Sequence, residues 1–292
     1  MNNKILILGA KGNLGEQLVK IFQADKDTYE VIAWDRAEID ITDKELITKK
    51  INDIQPAIII NSAAFNAVDK CEEEGGFLTA KKLNSDAPGY LAQAALETGA
   101  LLVHYSSDYV FDGKNRKGYL ETDEPHPINK YGESKMLGEK EIIKLNAQGL
   151  KYYLIRTSKL FGPKGGSEVA KLSFFDIMID LAKEKNELKA VNEEVSCFTY
   201  TPDLARATKN LIEQEVGFGI YHIVNGFPCH WQRAAKELFK ILNKNIKIIS
   251  VPSSEFPRPA KRPKYSVLLN SKLEALRDWR EALREYLGVK YQ

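Results

Sequence analysis

The sequence predicts an α/β protein with a Rossmann-type, doubly wound parallel sheet, followed by a smaller mixed α/β lobe. Two observations predict the sheet. Short, wholly apolar runs such as Ile5–Leu8 and Ala57–Ile60 alternate with helical patterns, as expected for strands that are buried on both faces. A glycine turn, Gly9–Gly15, also joins the first strand directly to a helix, which is the arrangement of a dinucleotide-binding βα unit.

The composition limits the class of protein. A chain of 292 residues with 43% hydrophobic content can form one large domain or two unequal ones, and its net charge of +2 gives no reason to expect nucleic acid or an anionic membrane as a partner. No apolar run approaches the length of a membrane span or of a signal-peptide core, and Cys71, Cys197 and Cys229 lack the spacing of a metal site. We therefore expect a cytoplasmic protein with reduced thiols and no metal.

The glycine turn is the first candidate binding feature. Gly9, Gly12 and Gly15 permit a tight turn and let a pyrophosphate approach the backbone N–H groups at the helix N-terminus. Glycine turns also join strands to helices where nothing binds. The position of this one after the first strand of a βαβ unit favours a dinucleotide site.

The second strand, Tyr29–Trp34, ends at Asp35 and Arg36, where the adenine ribose of a dinucleotide would lie. Asp35 can accept hydrogen bonds from both ribose hydroxyls, which favours NAD. Arg36 could instead pair with the 2′-phosphate of NADP, so the choice of cofactor stays open. The alternative is that Asp35 only caps a turn.

Small and hydroxyl-bearing residues follow the next two strands at their carboxyl ends, where ligands bind in open α/β sheets. Ala63 and Ala64 leave room for a cofactor, although packing explains them equally well. The fourth strand, Leu101–Tyr105, leads to Ser107, whose hydroxyl is well placed to bond a substrate carbonyl. His104 lies within that strand and is predicted to be packed.

Tyr131 and Lys135 lie four residues apart at the start of a predicted helix, so they share one face. A free phenol has a pKa of about 10, and it relays protons poorly at neutral pH unless a positive charge stabilises its phenolate. Lys135 would supply that charge, and the long loop Asp112–Lys130 leads directly to the pair. An ordinary exposed Tyr–Lys pair is the alternative.

The alternation of strands and helices breaks after a fifth strand, Tyr152–Ile155. We therefore predict a dinucleotide-binding domain at 1–160 and a smaller substrate-binding domain at 161–292, with residues of about 190–220 returning to the first. Helices are predicted over 77–97, 174–183, 201–215, 231–242 and 273–287.

The segment Glu255–Lys264 is basic and stiffened by prolines. It either connects two elements on the surface or lays Arg258, Arg262 or Lys264 against substrate phosphates. The acidic segment Asp69–Glu74 is predicted to be exposed, and we assign it no role.

Eight stretches, spread over nearly the whole chain, form a recognisable set. They are Gly9–Gly15, Asp40–Asp43, Ala67–Lys70, Ser106–Gly113, Tyr131–Lys135, Ile155–Ser158, Tyr221–His222 and Arg262–Ser266. With them the chain resembles an extended short-chain dehydrogenase/reductase and, more closely, the dTDP-4-dehydrorhamnose reductase family. Ser106–Phe111 and Ala67–Lys70 are specific to this branch, whereas Tyr-x-x-x-Lys belongs to the whole superfamily.

The resemblance implies reduction of a 4-keto group on a nucleotide-linked 6-deoxysugar, with dTDP-4-dehydro-L-rhamnose as the best substrate candidate and NADH or NADPH as the hydride donor. Tyr131 would protonate the ketone oxygen. Lys135 would lower the pKa of that phenol and hold the nicotinamide ribose, and Ser107 would stand where the family usually has Thr. The protein would act as a monomer or homodimer.

The candidate residues fall into two further groups. Those expected to bind the cofactor are Gly9, Lys11, Gly12, Asn13, Leu14, Gly15, Asp35, Arg36, Asp40, Ile41, Ala63, Ala64, Ser106, Tyr131 and Lys135. Those expected to bind the substrate are Asn66, Asp108, Tyr109, Lys159, Arg258 and Arg262.

Four departures from the family pattern lie on the substrate side of the chain. Lys159 replaces the usual Trp after Arg-Thr-Ser, and Glu194–Thr199 replaces Gln-x-Gly-x-Pro-Thr. The loop Gly162–Ser173 is several residues longer, and Pro228–Trp231 lacks a Ser before the Trp. Because the proton-transfer residues and the glycine turn are intact, we expect retained redox chemistry on an altered substrate.

Two other functions stay open. An epimerase or dehydratase of the same superfamily would keep its cofactor bound without net consumption of NAD(P)H. A non-catalytic, NAD(P)-binding regulatory subunit is also known in the family, and the intact Ser107, Tyr131 and Lys135 argue against it.

Overall fold

A six-stranded sheet forms the centre of the protein, whose computed structural model describes residues 3–214 and 216–288. The strands are β1 Lys4–Leu8, β2 Glu30–Trp34, β3 Ile58–Asn61, β4 Leu101–Ser107, β5 Tyr152–Thr157, β6 Leu160–Phe161, β7 Glu187–Val191, β8 Val195–Ser196, β9 Thr199–Tyr200, β10 Gly219–His222, β11 Asn225–Gly226, β12 Cys229–His230, β13 Lys247–Val251 and β14 Leu276–Asp278. The central sheet has the order β2-β1-β3-β4-β5-β10, and every pairing in it is parallel. This confirms the predicted Rossmann-type α/β class.

Helices cover both faces of this sheet. The helices are α1 Asn13–Gln23, α2 Lys44–Ile54, α3 Gly76–Lys81, α4 Ala87–Thr98, α5 Lys130–Ile143, α6 Phe174–Leu181, α7 Thr201–Glu213, α8 Trp231–Ile241 and α9 Trp279–Leu287. Leu6 of β1 packs in one core with residues of α2, α4 and α5, while its neighbour Ile7 packs in a second core with α1 and α7. Successive strand residues point to opposite faces, so strands covered on both sides are apolar throughout.

The helix predicted over 77–97 contains one π turn, Lys82–Asp86, between α3 and α4. The side chain of Asn84 in this turn accepts a hydrogen bond from the backbone N–H of Phe65 (2.8 Å) and donates to the carbonyl oxygen of Phe65 (3.0 Å). It also donates to the hydroxyl of Ser134 in α5 (3.0 Å). The π turn therefore ties the loop after β3 to helix α5.

The second lobe has its own aromatic core. Phe175, Phe198 and Trp279 pack together there with ring centroids 5.3–5.7 Å apart, under helices α6, α8 and α9. The helix predicted over 273–287 is wrong in its first part, because Leu276–Asp278 forms β14 and pairs with β11. The helix begins only at Trp279, where the Asp278 carboxylate accepts the backbone N–H of Arg280 (2.8 Å).

The chain re-enters the central sheet after a long excursion. Strand β10 pairs with β5, with Tyr221 beside Ile155, although β6 to β9, α6 and α7 lie between them in sequence. Within residues 3–214 and 216–288, no helix is long and apolar enough to cross a membrane. The same described residues contain no cluster of His, Cys, Asp and Glu suited to a metal ion.

Candidate active site

The carboxyl ends of the parallel strands bring the predicted residues to one edge of the sheet. Gly9 follows β1, Asp35 follows β2, Ala63 lies just beyond β3, and Ser107 is the last residue of β4. Because neighbouring parallel strands end at the same edge, the candidate cofactor residues and the candidate catalytic hydroxyl share one cleft.

Helix α5 delivers Tyr131 to this edge. The side-chain oxygen of Asn129 accepts the backbone N–H of Gly132 (2.7 Å) and so caps the helix. A Cβ atom at Gly132 would lie 2.0 Å from the carbonyl oxygen of Tyr109, so only glycine lets the helix approach the turn after β4 this closely. The rings of Tyr109 and Tyr131 then meet edge to face at 5.8 Å.

The phenol of Tyr131 lies near two polar side chains. Its hydroxyl donates to the side-chain oxygen of Asn66 (3.4 Å), and the hydroxyl of Ser107 acts on its pKa. Burial raises the pKa of Tyr131 above its ordinary value, and the Ser107 hydroxyl, which can donate to a phenolate, opposes this shift. At neutral pH the phenol is therefore protonated and can act as a proton donor.

Lys135 lies one helical turn further along α5 and is buried. Its ammonium donates to the carbonyl oxygen of Tyr105 (2.6 Å). Burial lowers the pKa of Lys135 to about 8, while the carboxylate of Glu139 acts in the opposite direction. Burial, and not the lysine charge, thus dominates the pKa of Tyr131 in this structure.

Asp108 holds the hydroxyl of Ser107, the candidate catalytic group. Its buried carboxylate accepts hydrogen bonds from the hydroxyls of Ser266 (2.6 Å) and Ser107 (3.2 Å). Burial raises the pKa of Asp108, and the hydroxyl donors oppose the shift. The oxygen of Ser107 also accepts the backbone N–H of Tyr109 (3.1 Å), so Ser107 is held from two sides.

The glycine turn contains close approaches that exclude side chains. Gly9 has φ of +72°, and a Cβ atom there would lie 2.7 Å from the backbone nitrogen of Ala63. A Cβ atom at Gly15 would lie 2.0 Å from the carbonyl oxygen of Gly9. The backbone N–H of Lys11 donates to the carboxylate of Asp35 (3.0 Å), which joins the turn to the end of β2.

The other candidate cofactor residues surround this turn. The carboxylate of Asp40 accepts the N–H and hydroxyl of Thr42 (2.9 and 2.7 Å), which lower its pKa, and the charge of Arg36 adds to the effect. Ile41 is buried in the core beneath, Ala64 is half-buried, and Ser106 is buried at the end of β4.

A loop of the second lobe lies directly on the glycine turn. We name the segment Lys164–Lys171 the strap. The backbone N–H groups of Gly165 and Ser167 donate to the Asn13 side chain (3.0 Å) and the Lys11 carbonyl (2.9 Å). Asn13 also donates to the carbonyl of Lys171 (2.9 Å), and Glu16 accepts from the N–H of Gly166 (2.6 Å). The candidate cofactor residues Lys11 and Asn13 therefore bind the strap as well as forming the turn.

Lys159 occupies an aromatic site in the second lobe. Its ammonium lies 3.7 Å from the ring centroid of Trp231 and 4.9 Å from that of Phe198, and it donates to the carbonyl of Glu194 (3.3 Å). The residue has φ of +39°, which is uncommon for a side-chain-bearing residue. Burial lowers the pKa of Lys159 to about 8, and the nearby Asp108 opposes the shift.

Glu194 gathers several donors beside Lys159. Its buried carboxylate accepts from the indole N–H of Trp231 (3.0 Å) and the hydroxyl of Ser253 (3.2 Å), and it pairs with Arg258. Arg258 is therefore joined to Lys159 through Glu194.

Arg262 is fixed by a two-point ion pair. Its guanidinium donates to both carboxylate oxygens of Asp69 (2.9 and 2.8 Å). Arg258, Arg262 and Lys264 line a cavity of about 500 Å³ that also includes Glu194. The structure thus brings Arg258 and Arg262 to one cavity, whose size is within the range of small-molecule sites.

Comparisons with known proteins identify the family. A family model described as RmlD substrate binding domain matches residues 3–291. A dTDP-4-dehydrorhamnose reductase from Aggregatibacter actinomycetemcomitans is 35% identical over 298 residues, covering 96% of this chain and 97% of the relative. The chain belongs to the dTDP-4-dehydrorhamnose reductase family. The resemblance seen in the sequence is confirmed.

Solved structures of the reductase family share the whole fold. A dTDP-4-dehydrorhamnose reductase from Clostridium acetobutylicum is 39% identical, with a TM-score of 0.89 and coverage of 98% of both chains. One from Bacillus anthracis, solved in complex with NADP, is 33% identical, with a TM-score of 0.90 and coverage of 99% of both chains. The chain is therefore similar to these reductases over almost its full length.

Sequence reasoning missed two residues that support the candidate site. Asp69 and Glu72 lie in a segment to which no role was assigned, yet Asp69 binds Arg262, and Glu72 accepts the backbone N–H of Lys130 (2.8 Å) at the start of helix α5. The available signal was charge complementarity between the acidic and basic segments. It was weak because Asp69 and Arg262 are separated by 193 residues.

Proposed function

We propose that this chain reduces the 4-keto group of a nucleotide-linked 6-deoxysugar, with NADH or NADPH as the hydride donor and dTDP-4-dehydro-L-rhamnose as the best substrate candidate. The observation that carries the proposal is the meeting of Ser107, Tyr131 and Lys135 at the sheet edge that also holds the glycine turn. Membership of the reductase family supports the same reaction.

The residues of the turn fit a dinucleotide. The backbone at Gly9 and Gly15 leaves no room for a Cβ atom, and the N-terminus of the eleven-residue helix α1 lies beside it, as an anion site requires. Gly12 and the backbone of Lys11 would hold the pyrophosphate, and Asp35 with Arg36 would face the adenine ribose. When bound, the cofactor supplies the hydride for the ketone carbon.

Residues of this chain carry out the proton transfer. Tyr131 donates its hydroxyl proton to the ketone oxygen as that oxygen gains charge. The hydroxyl of Ser107, which donates to Asp108 in this structure, turns to donate a hydrogen bond to the same oxygen. The phenolate that remains on Tyr131 is stabilised by the ammonium of Lys135. The raised pKa of Tyr131 keeps the proton in place until the ketone takes it.

Substrate binding is assigned to the cleft between the sheet edge and the second lobe. Asn66, Asp108 and Tyr109 line the side near the phenol, and Lys159 lies near Asp108 on the opposite side. We infer that Arg258 and Arg262 bind the nucleotide phosphates, because both guanidinium groups line the 500 Å³ cavity. Lys159 and Glu194 would then determine which sugar is accepted.

The test is a cofactor-oxidation assay with purified protein over a panel of 4-keto-6-deoxy nucleotide-sugars, run with NADH and with NADPH. We expect net cofactor consumption with at least one sugar. Tyr131→Phe should abolish turnover, because the proton donor is lost, while NAD(P)H still binds. Normal turnover by Tyr131→Phe would refute the proposal, and tightly bound cofactor without net consumption would indicate an epimerase.

A further inference from the structure

A buried ion pair lies directly behind the catalytic lysine. Arg156 of β5 donates to both carboxylate oxygens of Glu139 (3.0 and 2.7 Å), and both side chains are only 1% exposed. Glu139 follows Lys135 by one turn of α5, so the two side chains share a face of the helix. Arg156 pairs in register with Ser106, the neighbour of Ser107.

Stability alone is a weak reason for such a pair. Removing two charges from water costs several kcal/mol per ion, and well-packed apolar residues of similar volume often give equal or greater stability. Arg156 already stacks over Phe111, with its guanidinium carbon 5.0 Å from the ring centroid, so an apolar pair could fill this site. The charges therefore call for an electrostatic explanation.

The charges around Lys135 indicate what the pair does. Lys135 and Arg156 are two buried cations. Glu139 lies one helical turn from Lys135 and is paired with Arg156. Burial and the charge of Lys135 lower the pKa of His104 well below its usual value, and burial with Arg156 lowers that of His222 to about 4, so both imidazoles are neutral.

The remaining groups beside this cluster are neutral or are carboxyls whose pKa is raised. Tyr105 offers its backbone carbonyl to Lys135, and the pKa values of the Tyr105 and Tyr131 phenols are raised by burial. Burial also raises the pKa of Cys71 to about 11 and raises that of Asp108. Glu139 is thus the carboxylate that supports the charge of Lys135 from within its own helix.

We propose that the Glu139–Arg156 pair is a positioning unit for catalysis. Glu139 keeps Lys135 in its ammonium form, and Arg156 holds the Glu139 carboxylate in place and partly offsets its charge. The proposal rests on the proposed function, since a charged Lys135 matters only if Tyr131 is the proton donor. Neither residue of the pair contacts the reacting atoms. Their effect passes through Lys135.

The direction of each effect follows from charge. Loss of the Glu139 carboxylate makes the ammonium of Lys135 less favourable, so the pKa of Lys135 falls, while burial keeps the Tyr131 phenol protonated. Reduction needs both groups protonated, so activity is lost at a lower pH. Loss of the Arg156 cation should raise the pKa of Lys135, because the negative charge of Glu139 is then no longer offset by a neighbouring positive charge.

The test compares the pH dependence of kcat/KM for ketone reduction in four variants. In Glu139→Gln we expect kcat/KM to decrease at a pH about one unit lower than in the wild type. At a fixed pH above this point, kcat/KM should therefore be about tenfold lower than in the wild type. Arg156→Gln should move it upward. Glu139→Asp keeps the charge and should restore the wild-type position.

Glu141→Gln is the matched control, because it removes the same charge from a half-exposed position on the same helix and should leave the profile in place. A profile unmoved in both Glu139→Gln and Arg156→Gln would overturn the proposal. Shifts of the same sign in both variants would also overturn it. If Glu139→Gln does not fold, Arg156→Gln alone tests the proposal, which requires kcat/KM of that variant to decrease at a higher pH than in the wild type.

A second measurement needs no substrate. The pKa of Lys135 is about 8 in the folded protein and about 10.4 in an unfolded chain, so the unfolded state binds more protons between these values and the free energy of unfolding rises with pH there. In Glu139→Gln this rise should begin at a lower pH than in Glu141→Gln. If the free energy of unfolding begins to rise at the same pH in both variants, the proposal is contradicted. If the rise begins at a lower pH in Glu139→Gln but the protein turns over no sugar, only the proposed function is contradicted.

Discussion

Gly165→Ala is expected to lift the strap from the glycine turn. A Cβ atom at Gly165 would lie 2.4 Å from the carbonyl oxygen of Lys11 and 2.6 Å from the carbonyl carbon of Gly12. Ordinary van der Waals contact begins at 3.4 Å, so the strap must move by about 1 Å, and the atoms it meets are backbone atoms that cannot rotate away.

The movement breaks two hydrogen bonds at the turn. The backbone N–H of Gly165 loses the Asn13 side chain at 3.0 Å, and that of Ser167 loses the Lys11 carbonyl at 2.9 Å. At about 0.5–1 kcal/mol each, the strap loses about 1–2 kcal/mol of attachment. Because the strap lies on the turn that is proposed to hold the pyrophosphate, we expect NADPH to bind about 5- to 30-fold more weakly.

The assay is a direct titration of the full-length protein with NADPH, without sugar. Gly166→Ala is the matched control, because its added Cβ atom would meet only a side-chain oxygen of Glu16 at 3.1 Å and no backbone atom. Its affinity should change less than about twofold. Wild-type affinity in Gly165→Ala, or equal weakening in both variants, would refute the reasoning.

Two further predictions concern residues outside the proposed catalytic trio of Ser107, Tyr131 and Lys135. Asn84→Ala removes the three hydrogen bonds that the buried Asn84 side chain makes at the π turn. It should lower the free energy of unfolding by about 2–4 kcal/mol in denaturant titration, against less than about 0.5 kcal/mol for Gln93→Ala on α4. Asp69→Asn weakens the two-point ion pair with Arg262 and should raise the KM for the nucleotide-sugar about tenfold. Glu74→Gln, in the same segment, should leave KM unchanged. Equal KM values in the two variants would contradict the role assigned to Arg262.

Local patterns predicted most of the central sheet. Apolar runs and the glycine turn identified β1, β3 and the first helix, because strand burial and helix periodicity are recorded in neighbouring residues. The C-terminal helix was predicted to begin too early, because the pairing that ends it is not recorded in neighbouring residues. The apolar Leu276 fits a helical pattern, and only the pairing of β14 with the distant β11 shows that it lies in a strand.

The site could be predicted where it lies at strand ends, and not where distant segments meet. The position of Ser107 follows from the end of β4, and the spacing of Tyr131 and Lys135 from helix geometry. The strap was visible only as a longer loop, because nothing near Gly165 in sequence says that its partner is Asn13, 152 residues earlier. The roles of these residues remain predictions.

The late arrival of β10 has a consequence for synthesis on the ribosome. Its last residue, His222, lies 65 residues after Thr157, the last residue of β5. At roughly 5–20 residues per second, β5 waits about 3–13 s as an unpaired edge after it emerges. An open, apolar edge can recruit strands from other nascent chains. A chain cut near residue 160 would keep that edge permanently, so overproduced fragments should aggregate unless they extend beyond His222.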